Sequence, residues 1–164
     1  MDQASGVFGE EAFHELLTRE ASRSTRYQDF FSVCLVRPDG SSLEPDEAMQ
    51  QDVARKITQV LRSTDGVARL RDSVAILLLN APDADATRVA ERIRAHLKNV
   101  AFQPDPAGAA RRVTLSIGLV SFPRDGHNET LLLSRAQRRL KEAAEHGGDQ
   151  VVASDRSKSA RRRK

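Results

Sequence analysis

The stretch FFSVCLV, from Phe30 to Val36, has a single polar side chain, Ser32, and limits the fold more than any other part of the chain. An apolar run of strand length without alternation has two faces to bury, so it predicts a central strand covered on both sides. Such a strand requires neighbours in a sheet and helices above and below it. Arg37, Pro38, Asp39 and Gly40 should end it, because proline cannot extend a central strand and Asp-Gly favours a turn.

The rest of the chain supplies the other elements. Phe13, Leu16 and Leu17 recur at helical spacing and predict an amphipathic helix over Glu10 to Arg23. Met49, Val53, Ile57, Val60 and Leu61 predict a second from about Asp46 to Arg62. Val67 to Leu70 and Val74 to Leu79 read as two strands joined by the turn Arg71, Asp72 and Ser73. Val89, Ile93 and Leu97 place a helix over about Asp83 to Asn99, with Asp83 or Asp85 expected as its cap. QPDPAGAA reads as loop and VTLSIGLVSF, Val113 to Phe122, as a β-branched strand. A last helix from about Glu129 to Glu145 should stop at Gly147 and Gly148, ahead of a short strand at Gln150 to Ala153. The expected order, α β α β β α β α β, is a mixed central sheet flanked by helices, an α/β (α+β) fold without internal repeat or linker.

At 164 residues the chain is one domain by length, able to bury roughly 70% of its extended surface without a disulfide or metal staple. The single cysteine, Cys34, lies within the apolar run and reads as a small core hydrophobe in a reducing cytoplasm. The start MDQASGVFGEEAF lacks the apolar core of a signal peptide, and no segment approaches the ~20 apolar residues of a membrane span. A soluble, cytoplasmic protein is expected. The pI near 9.4 is misleading. Residues 156–164 hold six of the 26 basic residues and no acid, leaving 20 basic against 23 acidic residues, a net of −3, on the body. With aromatics at 4%, no basic groove with interleaved rings is present, so nucleic acid is not an expected partner. The expected division is one domain over residues 1–154 and a disordered basic tail over 155–164, which either meets an acidic surface or serves solubility.

The isolated chemical motifs are few. His14, His96, His127 and His146 have no cysteine or carboxylate at ligand spacing and read as surface or cap residues, with no metal site. Ser116 lacks the G-x-S-x-G context of a nucleophile elbow, and Gly118 reads as a close-packing position.

Four stretches in order resemble the GGDEF family, whose active members are diguanylate cyclases with a nucleotide-cyclase or palm-like fold. MDQASGVFGEEAF is similar to the opening D-x-L-T-G-L-x-N-R-R-x-F, with Asp2, Gly6 and Phe13 in register. VARLRDSVAILLL resembles V-A-R-x-G-G-D-E-F-A-I-L-L, and VTLSIGLVSFP resembles V-T-x-S-I-G-V-A-x-x-P. Arg135 to Val152 resembles the closing helix and turn, A-D-x-A-L-Y-x-A-K-x-x-G-x-N.

The resemblance also implies what has been lost. Carboxylates at the strand end and in the GGDEF turn would hold divalent cations against a triphosphate. Here Arg37 stands at the strand-end ligand position, although Asp39 matches a second aspartate of that motif. The substrate-recognition segment is shortened to GSSLEP. Arg71, Asp72 and Ser73 replace the glycine-containing turn, and an arginine there would block or compete with a nucleotide. Gln137, Lys141 and Ala144 replace the aspartate, tyrosine and phosphate-facing lysine of the closing helix. The expectation is a degenerate member without catalytic residues or cofactor.

The resemblance further implies a second, inhibitory site for the product cyclic di-GMP, built on R-x-x-D five residues before the turn. Arg62-Ser63-Thr64-Asp65 stands at that distance, and Arg92 in VAERIRAHL matches a further arginine. An arginine fork can donate to guanine O6 and N7, and a carboxylate can accept from N1 and N2. R-x-x-D also occurs at Arg26 to Asp29 and Arg69 to Asp72, and such a pair can equally be a surface ion pair. Ligand-binding residues Arg62, Asp65 and Arg92 are therefore expected, with Arg92 completing the pocket or bridging from a second copy. The expected function is a cyclic di-GMP receptor that relays its state by contact with a protein partner or a homodimer, since no receiver or phosphodiesterase domain is attached. The alternatives are a ligand-independent scaffold and residual cyclisation of GTP.

Overall fold

The computed structural model describes residues 7–40, 47–100, 102 and 112–155. Its elements are β1 (Val7–Phe8), α1 (Glu10–Tyr27), β2 (Phe31–Pro38), α2 (Glu47–Val60), β3 (Gly66–Arg69), β4 (Val74–Leu79), α3 (Asp83–Lys98), β5 (Leu115–Phe122), α4 (Glu129–Glu145) and β6 (Gln150–Val152). Asp2, Gly6, most of GSSLEP, the loop QPDPAGAA and the basic stretch from Arg156 lie outside the described residues.

The sheet order is β1-β3-β4-β2-β5-β6. β2 is central, antiparallel to β4 from Phe31↔Leu79 to Val36↔Val74 and antiparallel to β5 from Phe31↔Phe122 to Pro38↔Leu115. This is the place its unbroken apolar run demands. Alternate residues face opposite layers. Cys34, Val36, Ile76 and Leu78 pack with α2 and α3, while Phe31, Val33, Leu35, Ala75 and Leu77 pack with α1 and α4. Burial pushes the Cys34 thiol up to about 12, so it is inert core.

The strand does not stop before Pro38, as its composition suggested. Beyond Val36 only β5 flanks it, so a residue without an N–H is accommodated at that partly open edge. β1, which the sequence reading did not include, is a two-residue strand parallel to β3 and too short to show alternation. The expected aspartate cap of α3 is also corrected. The N-cap is Pro82 without a side-chain bond, and Asp83 and Asp85 lie inside the first turn, where they complement the helix dipole. α4 is capped as its sequence allows, with the Asn128 side chain accepting from the Leu131 N–H at 2.9 Å. A Cβ on Gly118 would stand 2.3 Å from the Ala136 carbonyl oxygen, so only glycine lets α4 lie this close to β5.

A buried ion pair ties these two elements to the segment that follows β6. The Arg139 guanidinium, 3% exposed, donates to Asp125 Oδ1 at 3.0 Å and to the Leu119 carbonyl at 2.8 Å, with a longer contact to Asp155 at 3.4 Å. Burial pushes the Asp125 carboxyl up, but hydrogen bonds from Arg139 and the Ser121 N–H outweigh it and hold the group below the usual carboxylate range.

Candidate functional site

The helix α2 ends at Val60, two residues short of its expected limit, and this decides how Arg62 is presented. Released from the helix, residues 62–65 form a turn in which the Asp65 N–H donates to the Arg62 carbonyl at 3.1 Å. The two side chains close on each other. Arg62 Nε donates to Asp65 Oδ2 and Nη2 to Oδ1, both at 3.1 Å, and Nη2 also donates to the Leu79 carbonyl at 3.0 Å. The carboxylate side chain is 2% exposed and the arginine 62% exposed. Hydrogen bonding to Asp65 raises the Arg62 pKa above its ordinary value, and the negative end of α2 also favours a cation there.

Of the five N–H donors of a guanidinium, those on Nη1 alone lack a partner among the described residues. Arg62 is thus a preoriented cation at the end of β4, held by a buried acid behind it. Both Asp65 oxygens accept one bond each from Arg62, and the acid side chain is enclosed behind the fork. Arg92 lies on the exposed side of α3, whose buried side is Ala86, Ala90, Ile93 and Leu97. It makes no bond to Arg62 or Asp65. It projects from the helix that shares the α2 layer, as an unpaired cation among the described residues.

The other end of the sheet carries the hairpin turn. It closes through the Leu70 N–H donating to the Ser73 carbonyl at 2.8 Å, and Arg71 and Asp72 are exposed. Glu10, at the start of α1, accepts the Arg71 N–H at 3.0 Å. Arg37 reaches across and donates from Nε to the Asp72 carbonyl at 3.3 Å. The position that the resemblance makes a metal ligand therefore holds a cation bound to the turn.

Asp39 lies in the turn that its sequence setting suggested, and its carboxylate is held by donors. Its Oδ2 accepts from Thr114 Oγ1 at 2.7 Å and from the Asp149 N–H at 2.8 Å, and its Oδ1 accepts from Ser116 Oγ at 2.6 Å. Gly148, at φ +70°, packs so closely that a Cβ there would lie 2.7 Å from this carboxylate. Asp39 joins the end of β2, the start of β5 and the turn before β6. A divalent cation does not fit these residues, since Arg37 opposes it and Asp39 is already surrounded by donors. Among the described residues, no three His, Cys, Asp or Glu side chains gather as metal ligands would.

Further charge networks join distant segments. Asp149 accepts from Lys98 at 2.7 Å and Arg94 at 2.6 Å; the Lys98 bond first, then Arg94, holds its carboxyl below the usual range. His14, read as a surface or cap residue, contacts Glu129, which also takes the Thr18 hydroxyl, so α1 and α4 are joined at their polar edge. No local spacing signals these pairs, because 115 residues separate His14 from Glu129. His146 is the C-cap residue of α4, and His127 lies edge-on to Phe122.

Comparison with known proteins adds sequence and fold relatives. The family described as diguanylate cyclase, GGDEF domain, matches residues 43–150. Diguanylate cyclase A of Treponema denticola is 32% identical over 105 residues, which are 63% of this chain and 28% of that protein. The chain thus matches under a third of the length of this relative. The GGDEF domain of YfiN (TpbB) from Pseudomonas aeruginosa superposes with a TM-score of 0.81 at 22% identity, covering 92% of this chain and 98% of that one. The coiled coil and GGDEF domain of DgcB from Caulobacter crescentus, solved in complex with c-di-GMP, superposes with a TM-score of 0.76 at 15% identity, covering 94% of this chain and 85% of that one. At such identities the structural likeness establishes the six-stranded mixed sheet and its helical layers as a shared fold.

Proposed function

From the premise that this chain belongs to the diguanylate cyclase GGDEF domain family, we propose that it is a catalytically inactive member that binds cyclic di-GMP and relays the bound state by protein contact. The observation that carries this reading is the Arg62 fork, clamped by buried Asp65 and the Leu79 carbonyl with its Nη1 donors turned to solvent. A surface arginine otherwise loses rotamer freedom for little return, since an exposed ion pair contributes about 0–1 kcal/mol. Preorientation is useful when a ligand edge is to be met.

Binding is an exchange. Arg62 turns two donors from Asp65 to guanine O6 and N7, and the freed Asp65 oxygens accept from guanine N1–H and N2–H. Two Arg62–Asp65 bonds give way to four charge-assisted bonds to the base, and stacking and phosphate contacts add to these. Arg92, exposed and unpaired among the described residues, meets a phosphate of the same ligand or of one held by a second copy. The DgcB structure, in complex with c-di-GMP on the same fold, supports this ligand class.

Inactivity is supported by Arg37 bound to the hairpin turn and by Asp39 engaged with Thr114, Ser116 and the Asp149 N–H. One domain over residues 1–154, a basic tail over 155–164, a cytoplasmic setting and a protein partner or homodimer complete the reading. Among the described residues no helix is long and apolar enough to cross a membrane. Calorimetric titration of cyclic di-GMP into Arg62→Ala and Arg92→Ala tests the assignment. Losing one fork contact to a base edge weakens binding by about 1–3 kcal/mol, and the Arg92 change should weaken it less. Unchanged affinity in Arg62→Ala would refute the site. Incubation with GTP and magnesium should yield no cyclic dinucleotide, and product formation would refute inactivity.

A further inference from the structure

The sequence contains six phenylalanines, one tyrosine and no tryptophan, so an exposed ring is uncommon in this chain. Tyr27 is 62% exposed and Phe30 48% exposed. They differ in setting. Tyr27 ends α1 and has the Arg26 guanidinium 6.0 Å from its ring centre, whereas no ring or cation partner covers Phe30 among the described residues. Phe30 immediately precedes β2, whose first residue, Phe31, is paired with Leu79. The Leu79 carbonyl is the one that Arg62 Nη2 holds at 3.0 Å. The exposed ring therefore precedes the residue paired with Leu79, whose carbonyl anchors the fork, and both lie at one end of the sheet.

Their faces also agree. Phe31 and Val33 point into the α1–α4 layer, while Ser32 donates to the Ala81 carbonyl at 2.7 Å on the α2–α3 side. Phe30, one residue ahead of β2, has the Ser32 phase of the strand's two-residue alternation. The α2–α3 side is the one from which Arg62 arrives at the end of α2. Burial of a phenylalanine ring is stabilising, and this one forgoes about half of its burial at the sheet end where the Arg62 fork is anchored.

An arginine that meets the edge of a purine leaves the base's flat face uncovered, and an aromatic side chain beside the fork supplies the matching surface. We propose that Phe30 is the platform on which one guanine of the ligand stacks while Arg62 holds that base by its edge. This rests on the reading of Arg62 and Asp65 as a cyclic di-GMP site and adds to it a residue outside the R-x-x-D motif. The ring selects a planar base, while Arg62 and Asp65 select guanine among the bases.

The test uses the full chain with cyclic di-GMP as the probe. Because the chain has no tryptophan, Phe30→Trp installs a single fluorophore at the platform. Its emission should be quenched saturably, with the midpoint that calorimetry gives for the unmodified protein. Phe30→Ala and Phe30→Leu should both bind about 5- to 150-fold more weakly, the leucine showing that a π-face rather than apolar area is required. If the unmodified protein binds, yet Phe30→Ala binds equally well and the Phe30→Trp emission is unaffected, the stacking inference is wrong and the arginine site stands. If the unmodified protein gives no heat, the site itself fails, and the stacking role with it.

Discussion

Removing the Asp39 side chain should unfold the protein more easily, and the size of the effect comes from the contacts. Asp39→Ala strands the Asp149 N–H and two hydroxyls, Thr114 Oγ1 and Ser116 Oγ, which now donate to it at 2.6 to 2.8 Å. The hydroxyls can rotate to other acceptors, but the backbone N–H cannot. An unmet donor in this half-buried setting costs about 1–3 kcal/mol, and each charge-assisted bond lost adds to it, so ~2–4 kcal/mol is expected. For a chain of this length that is roughly 5–15 °C in Tm. Asp39→Asn should cost under about 1 kcal/mol, because its amide oxygen can serve Thr114 and Asp149 while its NH2 donates to the Ser116 hydroxyl. Gly148→Ala supplies a coupled check. Its Cβ would collide with the Asp39 carboxylate at 2.7 Å, so its cost should fall in the Asp39→Ala background, leaving mainly the strain of φ +70°. Urea unfolding of the parent and these four variants measures all of this. If Asp39→Ala stayed within about 0.5 kcal/mol of the parent, as surface changes usually do, the account of Asp39 as a structural hub would be refuted.

Three further outcomes are expected. Arg139→Ala, which leaves Asp125 buried with only the longer Arg124 contact at 3.4 Å, should destabilise by about 3–5 kcal/mol in urea unfolding, whereas Arg88→Ala on the exposed side of α3 should change little. Asp125 and Asp149 are both held below their ordinary values, so their stabilising contribution is complete above the unfolded-state value of ~3.9 and is lost as pH falls through the lower folded values. Urea midpoints measured from about pH 6 to about pH 2.5 should fall steeply only at the acid end, and less so in Asp125→Asn. Cys34 should resist a thiol reagent at about pH 8 until the protein is unfolded, since its thiol is fully buried and pushed up to about 12; labelling at the rate of a free thiol would contradict this.

Much of the fold was legible because its strongest signals are local. The unbroken apolar run of β2 required a central position, and α4 occupies Glu129–Glu145 as its leucine spacing and closing glycines predict. The hairpin of β3 and β4 was equally plain. What escaped was set by partners far away in sequence. Asp39 looks like a turn residue until Thr114, Ser116 and Asp149 are folded against it. Arg139 looks like any helix arginine until the Asp125 carboxylate and the Leu119 carbonyl enclose it. At the candidate site the spacing of Arg62 and Asp65 was readable, but not that they close on each other. That depends on α2 ending at Val60 and on the Leu79 carbonyl, a backbone atom with no signature in sequence.

The most direct test compares two cyclic dinucleotides that differ only in their bases. In calorimetric titrations of the unmodified protein, cyclic di-GMP should release saturable heat and cyclic di-AMP essentially none. Adenine has no O6 acceptor for the Arg62 fork and no N1–H or 2-amino donor for Asp65. Silence with both dinucleotides, or equal heats from both, would contradict a guanine site at Arg62 and Asp65.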